Sequence, residues 1–139
     1  MKPMSLRDEK GAAAVEFAVV AGLFLMIVFG IIEFGILMFD QHVLTNASRE
    51  GARAGIVMRV PRVTDAAITT IVNQYAQGRM VSFGPSSNPT TTVSRESTTE
   101  PLFGKELVVR VTFPFRFLLL SNFGLDPITL EAETRMRME

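Results

Sequence analysis

The stretch that decides the fold is GAAAVEFAVVAGLFLMIVFGIIEFGILMF, residues 11–39. Its only ionisable side chains are those of Glu16 and Glu33. As a helix that rises about 1.5 Å per residue, the run from Ala12 to Phe39 is long enough to cross the hydrocarbon core of a bilayer, which is about 30 Å thick. The sequence therefore predicts a transmembrane helix over residues 12–39, with a carboxylate placed just inside its beginning.

The composition of the chain excludes several classes of function. The 139 residues have a formal net charge of zero, which provides no general attraction to nucleic acid. There is no cysteine, and the single histidine is His42. A Cys nucleophile and a metal site with several His or Cys ligands are therefore excluded. We expect no cofactor and no small-molecule substrate.

The charges on either side of the apolar run predict its orientation. The leader, residues 1–11, contains three basic residues, whereas the first Lys or Arg after the run is Arg49. By the positive-inside rule the leader stays in the cytoplasm and the rest of the chain lies outside. An ordinary cleaved signal peptide has a shorter apolar segment, of about 7–15 residues, and the small-x-small sequence Ala52-Arg53-Ala54 lies well downstream. An uncleaved signal anchor is the simplest alternative.

Residues 40–60 are expected to extend the helix outside the membrane. No proline interrupts Asp40 to Arg59, and Pro61 supplies a stop. Gly51 and Gly55 each weaken such a helix by about 1 kcal/mol relative to Ala. A close packing contact would explain them, made either with the chain's own globular part or with a partner helix.

Residues 61–139 predict a small α+β domain. A second helix is indicated from Thr64 to Gln77, with Thr64 as its N-cap and Gly78 just beyond its end. Residues 82–101 are rich in Ser, Thr and Pro and predict a solvated loop, with one edge strand around residues 90–98.

Two strands follow the loop. Residues 105–117 and 128–138 alternate apolar and polar side chains, so each has one face that must be buried. We expect them to pair antiparallel, with opposite charges facing each other on the outer side, and Pro114 to lie at an edge or a bulge. We expect the two helices to pack over the apolar face of the sheet and bury it. Leu118 to Leu120 at the turn are interpreted as core, with an exposed contact patch as the alternative.

The two carboxylates of the apolar run require an explanation, because a charge at the bilayer centre costs about 2.5–3.5 kcal/mol on insertion scales. Glu33 lies near the outer end and is expected to snorkel to the headgroups, which is also the simplest explanation for Glu16. A second explanation for Glu16 is cleavage after Gly11, where a glycine offers a protease an unhindered extended backbone. Ala12 would then carry an ammonium and Glu16 would be the fifth residue, and pairing the two would set an axial register between packed helices.

Small residues recur along the same helix. Ala14, Ala18 and Gly22 are spaced by four, and Gly30 falls on the same row. Such a row lets another helix approach closely in an apolar medium. The alternative is that Ala and Gly are simply common in membrane spans.

Together these features resemble the class III signal of type IV pilins and pseudopilins, in which a short basic leader ends in Gly and Glu is the fifth mature residue. More closely, AAVEFA at the start of the span, an aromatic–Gly pair after a Glu near its end, and the A-x-R-E-x-A-R motif of residues 47–53 resemble the TadE-like proteins of the Tad (Flp) pilus assembly system. The closing LEAETRMRME is also similar to endings in that family. The resemblance implies a pilin-like fold: a long N-terminal helix that continues into a small domain with an antiparallel sheet.

The resemblance also implies a function and a set of residues. The chain would be a minor pseudopilin, a single-pass bacterial inner-membrane protein with a periplasmic domain, and an extracellular pilus would be its second location. A prepilin peptidase would cut it between Gly11 and Ala12, and its partners would be the membrane, other pilins or pseudopilins and the pilus assembly platform. Implied assembly residues are Glu16 and Phe17, the packing row already named, and a post-helix motif formed by Arg49, Glu50, Gly51, Ala52, Arg53 and Gly55.

The chain departs from the wider group in three ways. Ala12 stands where type IV pilins usually begin with Phe, Phe17 stands where Flp major pilins often have Tyr, and the chain is much longer than a Flp major pilin. These differences favour a minor component over a filament subunit. One other function stays open, an uncleaved, signal-anchored binding or sensor module. We expect no enzyme, because a membrane-tethered enzyme would need a Ser brought beside His42.

Overall fold

The computed structural model describes residues 6–81, 83, 88–97, 99, 103–124 and 127–138, with side chains from residue 11 onward. The rest of the expected 82–101 loop and the end of the chain lie outside the described residues. In chain order the elements are helix α1 (Leu6–Ile56), helix α2 (Asp65–Ala76), strand β1 (Thr90–Arg95), strand β2 (Glu106–Phe115), a short 3-10 helix (Leu120–Phe123) and strand β3 (Ile128–Arg137). The α+β class with a long N-terminal apolar helix is thereby confirmed.

Helix α1 has two halves with different surroundings. From Gly11 to Ile32 its side chains are exposed or half-buried, and from Glu33 onward one stripe is buried against the rest of the chain. The helix ends at Ile56, three residues short of Arg59. Pro61 restricts Val60, the residue before it, to extended geometry and does not by itself explain the earlier end. The buried stripe consists of Glu33, Leu37, Asp40, Val43, Leu44, Ala47, Ser48, Gly51, Ala52 and Gly55.

The sheet has the order β1-β2-β3, and both pairs are antiparallel. In the register of β2 and β3, Arg110 lies opposite Glu133. Pro114 pairs with Thr129 on β3 but lies beyond Thr112, the last β2 residue that pairs with β1. The expected edge position of this proline is confirmed, because its missing N–H lies where β2 has a neighbour on only one side.

The core lies between one face of the sheet and the two helices. The inward side chains of β2 are buried, and those of Leu44, Ile68 and Val72 pack over them from α1 and α2. Both helices therefore provide the cover that the alternation of β2 and β3 requires. The buried β2 residues are Leu107, Val109, Val111, Phe113 and Phe115.

Local signals set the ends of α2 as predicted. The hydroxyl of Thr64 accepts a hydrogen bond of 3.2 Å from the backbone N–H of Ala67, which satisfies one of the free donors of the first turn. Gly78 follows the last turn with φ of 74°, a conformation that glycine adopts without steric cost.

The outer face of the sheet carries the expected cross-strand charge pairs. Arg110 of β2 lies 3.1 Å from Glu131 and 2.5 Å from Glu133 of β3, and Arg135 of β3 lies 3.6 Å from Glu106 of β2. Within β3, Arg135 also lies 2.7 Å from Glu133. Hydrogen bonds from Arg110 and then Arg135 hold the pKa of Glu133 below its ordinary value. This face is solvated and charged, so the apolar surface of the molecule lies elsewhere.

Candidate functional site

The first candidate surface is the N-terminal half of α1. The helix is long and apolar enough to cross a membrane, and none of its most apolar window is buried by the domain. Phe17, Val19, Leu23, Phe24 and Ile31 are among its large side chains, and each is more than half exposed. A surface of this kind requires lipid or other apolar helices around it.

The residues of the expected cleavage site lie inside this helix. Because α1 begins at Leu6, Gly11 is helical and not extended. A Cβ atom on Gly11 would meet no atom within 4 Å. The helix must be unwound at this residue before a protease can hold the peptide bond in an extended conformation. Glu16 and Phe17 are exposed, and Glu16 has no hydrogen-bond or ion-pair partner among the described residues.

The row of small residues also faces open space. Ala14, Ala18 and Gly22 are exposed and Gly30 is half-buried. A Cβ atom on Gly22 or Gly30 would meet nothing within 4 Å. The described domain leaves this row uncovered, which is the condition for packing against another chain.

The expectation for Glu33 is wrong. Its side chain does not snorkel to the headgroups, since it is only 3% exposed and its two carboxylate oxygens accept hydrogen bonds from the backbone N–H groups of Leu119 and Leu120. These donors open the 3-10 helix. The carboxylate is thus satisfied by the chain itself, a contact that sequence reasoning missed because its partner lies 86 residues away.

The A-x-R-E-x-A-R motif lies in the last turns of α1 and faces two ways. Its small residues are buried, and a Cβ atom on Gly51 would lie 2.6 Å from Cγ2 of Val72. A Cβ atom on Gly55 would lie 2.5 Å from Leu107. The close contact predicted at both glycines is therefore made with the chain's own domain, in preference to a partner helix.

The charged residues of the same motif point outward. Arg49 and Arg53 are exposed, and Arg53 donates to Glu50 at 2.9 Å within the helix. Hydrogen bonding from Arg53 lowers the pKa of Glu50. The motif therefore combines a face of small residues that docks the helix with a charged edge left free for solvent or a partner.

Three further polar contacts hold α1 against the domain, and sequence analysis found none of them. Gln41 donates to the backbone carbonyl of Glu131 at 2.7 Å, and the hydroxyls of Ser48 and Thr134 lie 2.7 Å apart. Asp40 is fully buried, and its Oδ1 accepts from the N–H of Val81 at 2.9 Å. The burial of Asp40 could be suspected from the sequence, because Asp40 lies on the apolar stripe of α1.

Burial raises the pKa of Asp40, and the bond from Val81 opposes that shift only in part. Its second oxygen, Oδ2, is buried without a hydrogen-bond partner in the described part of the chain. The ionised carboxylate of Asp40 is therefore energetically unfavourable in the core.

The three leucines in the turn after β2, expected in the core, differ in their burial. Leu120 packs against the core and Leu119 is half-buried, but Leu118 is 57% exposed. Core placement is thus wrong for Leu118, where the alternative of an exposed patch holds. Phe123, five residues after Leu118, is 60% exposed.

His42 and the acidic side chains of the described residues bear on two kinds of site, catalytic and metal-binding. His42 is exposed, and no Ser or Thr of the described chain is hydrogen-bonded to it. Within the same residues no three His, Asp or Glu side chains lie close enough to hold a metal ion. An open groove of about 620 Å³ lies between the end of α1 and the start of α2, lined by apolar side chains and by Glu50, Arg53, Arg59 and Arg62.

Comparison with known families supports the resemblance seen in the sequence. Residues 11–53 match the family model described as TadE-like protein. The matched segment contains the exposed apolar helix, Glu16, the buried Glu33 and the A-x-R-E-x-A-R motif. No curated protein and no solved structure matches the chain.

Proposed function

From the match of residues 11–53 to the TadE-like family, we propose that this chain is a minor pseudopilin of a Tad (Flp) pilus. The observation that carries the proposal is the uncovered apolar helix that opens with Gly11, Ala12 and Glu16 and lies within the matched segment. The family is associated with Tad pili, which gives the coarse function. Cleavage, packing and the place in the inner membrane are the finer parts of the proposal.

The first step is removal of the leader by a prepilin peptidase on the cytoplasmic side. Hydrolysis of the Gly11–Ala12 peptide bond consumes one water and leaves a carboxylate on Gly11 and an ammonium on Ala12. The first turns of α1 must unwind for this, and a glycine lowers the stability of such a turn by about 1 kcal/mol relative to Ala. The apolar helix is retained, so the mature protein remains in the membrane.

The second step is an ion pair between the new ammonium of Ala12 and a carboxylate. Glu16 lies four positions after Ala12, so the two residues lie on one face of the helix, with their Cβ atoms about 5–6 Å apart. In an apolar medium either charge alone is unfavourable, and a pair formed within the chain or with a neighbouring helix relieves both. A pair between neighbours fixes their axial offset.

The third step is close packing of the helix with its neighbours. The row Ala14, Ala18 and Gly22 lies on one face and is uncovered. Small residues allow backbones to approach closely, and this contact supplies the van der Waals attraction that holds helices together in lipid. The partners are other pilins or pseudopilins and proteins of the assembly platform.

The proposal is tested by the N-terminal mass of the protein. The full chain is expressed in matched cells with and without a prepilin peptidase, purified from the membrane fraction and analysed by intact-mass spectrometry. We expect a chain that begins at Ala12 only when the peptidase is present. An intact Met1, or a start near Gly55, in both cells would contradict the pseudopilin function.

A second candidate is an uncleaved, membrane-anchored binding module, favoured by the open groove near Arg53 and Arg59. It predicts the same intact N-terminus in both cells. The mass measurement therefore separates the two functions without the need to identify a ligand.

A further inference from the structure

We propose that the loop Leu118–Gly124, here called the 118–124 loop, lies on the outer surface of the membrane that α1 spans and inserts Leu118 and Phe123 between the lipids. The inference rests on the membrane span of the proposed function and adds a second contact with the bilayer. It identifies the lipid surface as the occupant of an exposed apolar patch.

The height of the loop along α1 is set by Glu33. The carboxylate accepts from the N–H groups of Leu119 and Leu120, so the loop is fixed beside the helix at this residue. At about 1.5 Å per residue, residues 12–32 rise about 31 Å, which matches a hydrocarbon thickness of about 30 Å. Glu33 and the loop therefore lie where the helix leaves the hydrocarbon.

The span cannot extend to Phe39 without placing the domain in lipid. Leu37 and Asp40 are already buried by the domain. Irregular backbone exposed to hydrocarbon is excluded, because its N–H and C=O groups find no partners there. The first part of α1 that the domain covers must consequently be at headgroup level, and the exposed side chains of Phe34, Met38 and Phe39 are at the same level.

The 118–124 loop has the composition of an interfacial contact. Leu118 is 57% exposed and Phe123 is 60% exposed, with the polar residues Ser121 and Asn122 between them. The loop is held by its own backbone bonds, from Asn122 N–H to Leu119 and from Gly124 N–H to Ser121. A preformed loop presents its apolar side chains without further ordering, and such side chains bind in the zone between headgroups and acyl chains.

The test uses tryptophan fluorescence, since the natural chain contains no Trp. The full-length variant Phe123→Trp is reconstituted in phosphatidylcholine–phosphatidylglycerol vesicles whose acyl chains carry bromine either near the headgroup or near the chain end. Phe103→Trp is the matched control, because Phe103 is 76% exposed and adjoins Gly104, which bonds to Met138 at the opposite end of the sheet. Phe24→Trp, at a position 62% exposed within the span, reports insertion of α1.

We expect Phe123→Trp to lose most of its emission to the shallow bromines and less to the deep ones. Phe24→Trp should show the opposite order, and Phe103→Trp should be quenched by neither. Leu118→Trp repeats the measurement at the other end of the loop, so a folding defect in one variant does not remove the test.

Three results would overturn the inference in distinguishable ways. If Phe24→Trp is quenched but both loop variants behave like Phe103→Trp, the loop does not contact lipid while the span stands. A blue shift of the loop variants that grows with protein density, without bromine quenching, would assign the patch to a second copy of the chain. If Phe24→Trp is not quenched either, α1 is not inserted and the membrane part of the proposed function fails with the inference.

Discussion

Gly51 of α1 and Val72 of α2 approach so closely that a Cβ atom on Gly51 would lie 2.6 Å from Cγ2 of Val72. Because Val72 is buried and its β-branched side chain has little rotamer freedom, it cannot move aside easily. We expect Gly51→Ala to lower the free energy of unfolding by about 1–3 kcal/mol, as overpacked cores do. Chemical unfolding of the full chain in micelles, followed by circular dichroism, measures this.

Gly35→Ala is the matched control for that change. Gly35 lies on the same helix, and a Cβ atom there meets nothing within 4 Å. The substitution should leave stability unchanged or raise it by about 0.5–1 kcal/mol through helix propensity. Equal unfolding midpoints for the two variants would mean that α1 and α2 are further apart than the structure has them.

The two carboxylates of the apolar helix should respond differently to removal. Glu33→Ala leaves the N–H groups of Leu119 and Leu120 without their acceptor, and each unsatisfied buried donor costs about 1–3 kcal/mol. We expect faster hydrogen exchange at these two amides and a lower unfolding midpoint. Glu16→Ala removes an exposed side chain without a described partner and should change neither, so equal effects of the two substitutions would argue against the Glu33 contact.

Asp40 should make the stability of the domain depend on pH. Because burial raises its pKa above the ordinary value of 3.8, the folded state binds the proton more tightly than the unfolded state, and stability falls as pH rises through the folded pKa. Asp40→Asn keeps an oxygen for the N–H of Val81 and removes the charge. It should therefore unfold at a higher denaturant concentration than the natural chain at neutral pH.

The advantage of Asp40→Asn should disappear below pH 3.8, where the natural carboxyl is protonated in both states. Asp40→Ala, which loses the acceptor as well, should be less stable than Asp40→Asn at every pH. An Asn variant that is less stable than the natural chain at neutral pH would show that the ionised form is favoured in the core.

Removal of the Glu16 charge should affect assembly without affecting insertion. If Glu16 pairs with the ammonium of Ala12 in lipid, its loss leaves a buried charge alone, at a cost of about 3–5 kcal/mol. We expect Glu16→Ala cells to retain the protein in the membrane fraction, by immunoblot, and to lose surface pili, by electron microscopy. Normal pili in that strain would leave snorkelling as the role of Glu16.

The row of small residues Ala14, Ala18 and Gly22 should not tolerate a large side chain. Ala18→Leu places a large side chain where a neighbouring helix is proposed to approach, so cross-linking to pilus proteins should fall sharply. Val20→Phe adds bulk about 200° around the helix, at a position that is 65% exposed, and should leave cross-linking unchanged. Equal loss in both variants would indicate a general defect of the span.

The elements that sequence reasoning placed correctly are those with local signals. The alternation in β2 and β3 fixes which face is buried, and Thr64 and Gly78 fix the ends of α2. The glycine pair at Gly51 and Gly55 also indicated a close contact, since a helix retains such residues at a cost in propensity.

The contacts of Glu33 and Asp40 had no local signal. Their partners are 86 and 41 residues away in the chain, so only the folded domain brings them together. The apolar neighbours of Glu33 in the sequence indicate lipid as its surroundings and do not indicate the backbone donors that the domain supplies. The sites at Gly11, Glu16 and Ala18 depend on a second molecule, and for that reason they stay predictions.

Helix α1 runs without a break from its uncovered apolar half into the core of the domain, where Asp40, Gln41 and Ser48 bond to distant parts of the chain. A hinge between anchor and domain is therefore missing from the described residues. A rotation or an axial displacement of the apolar half of α1 is therefore transmitted directly to the sheet. Whenever the apolar half of α1 is displaced, the domain must move with it in a fixed orientation.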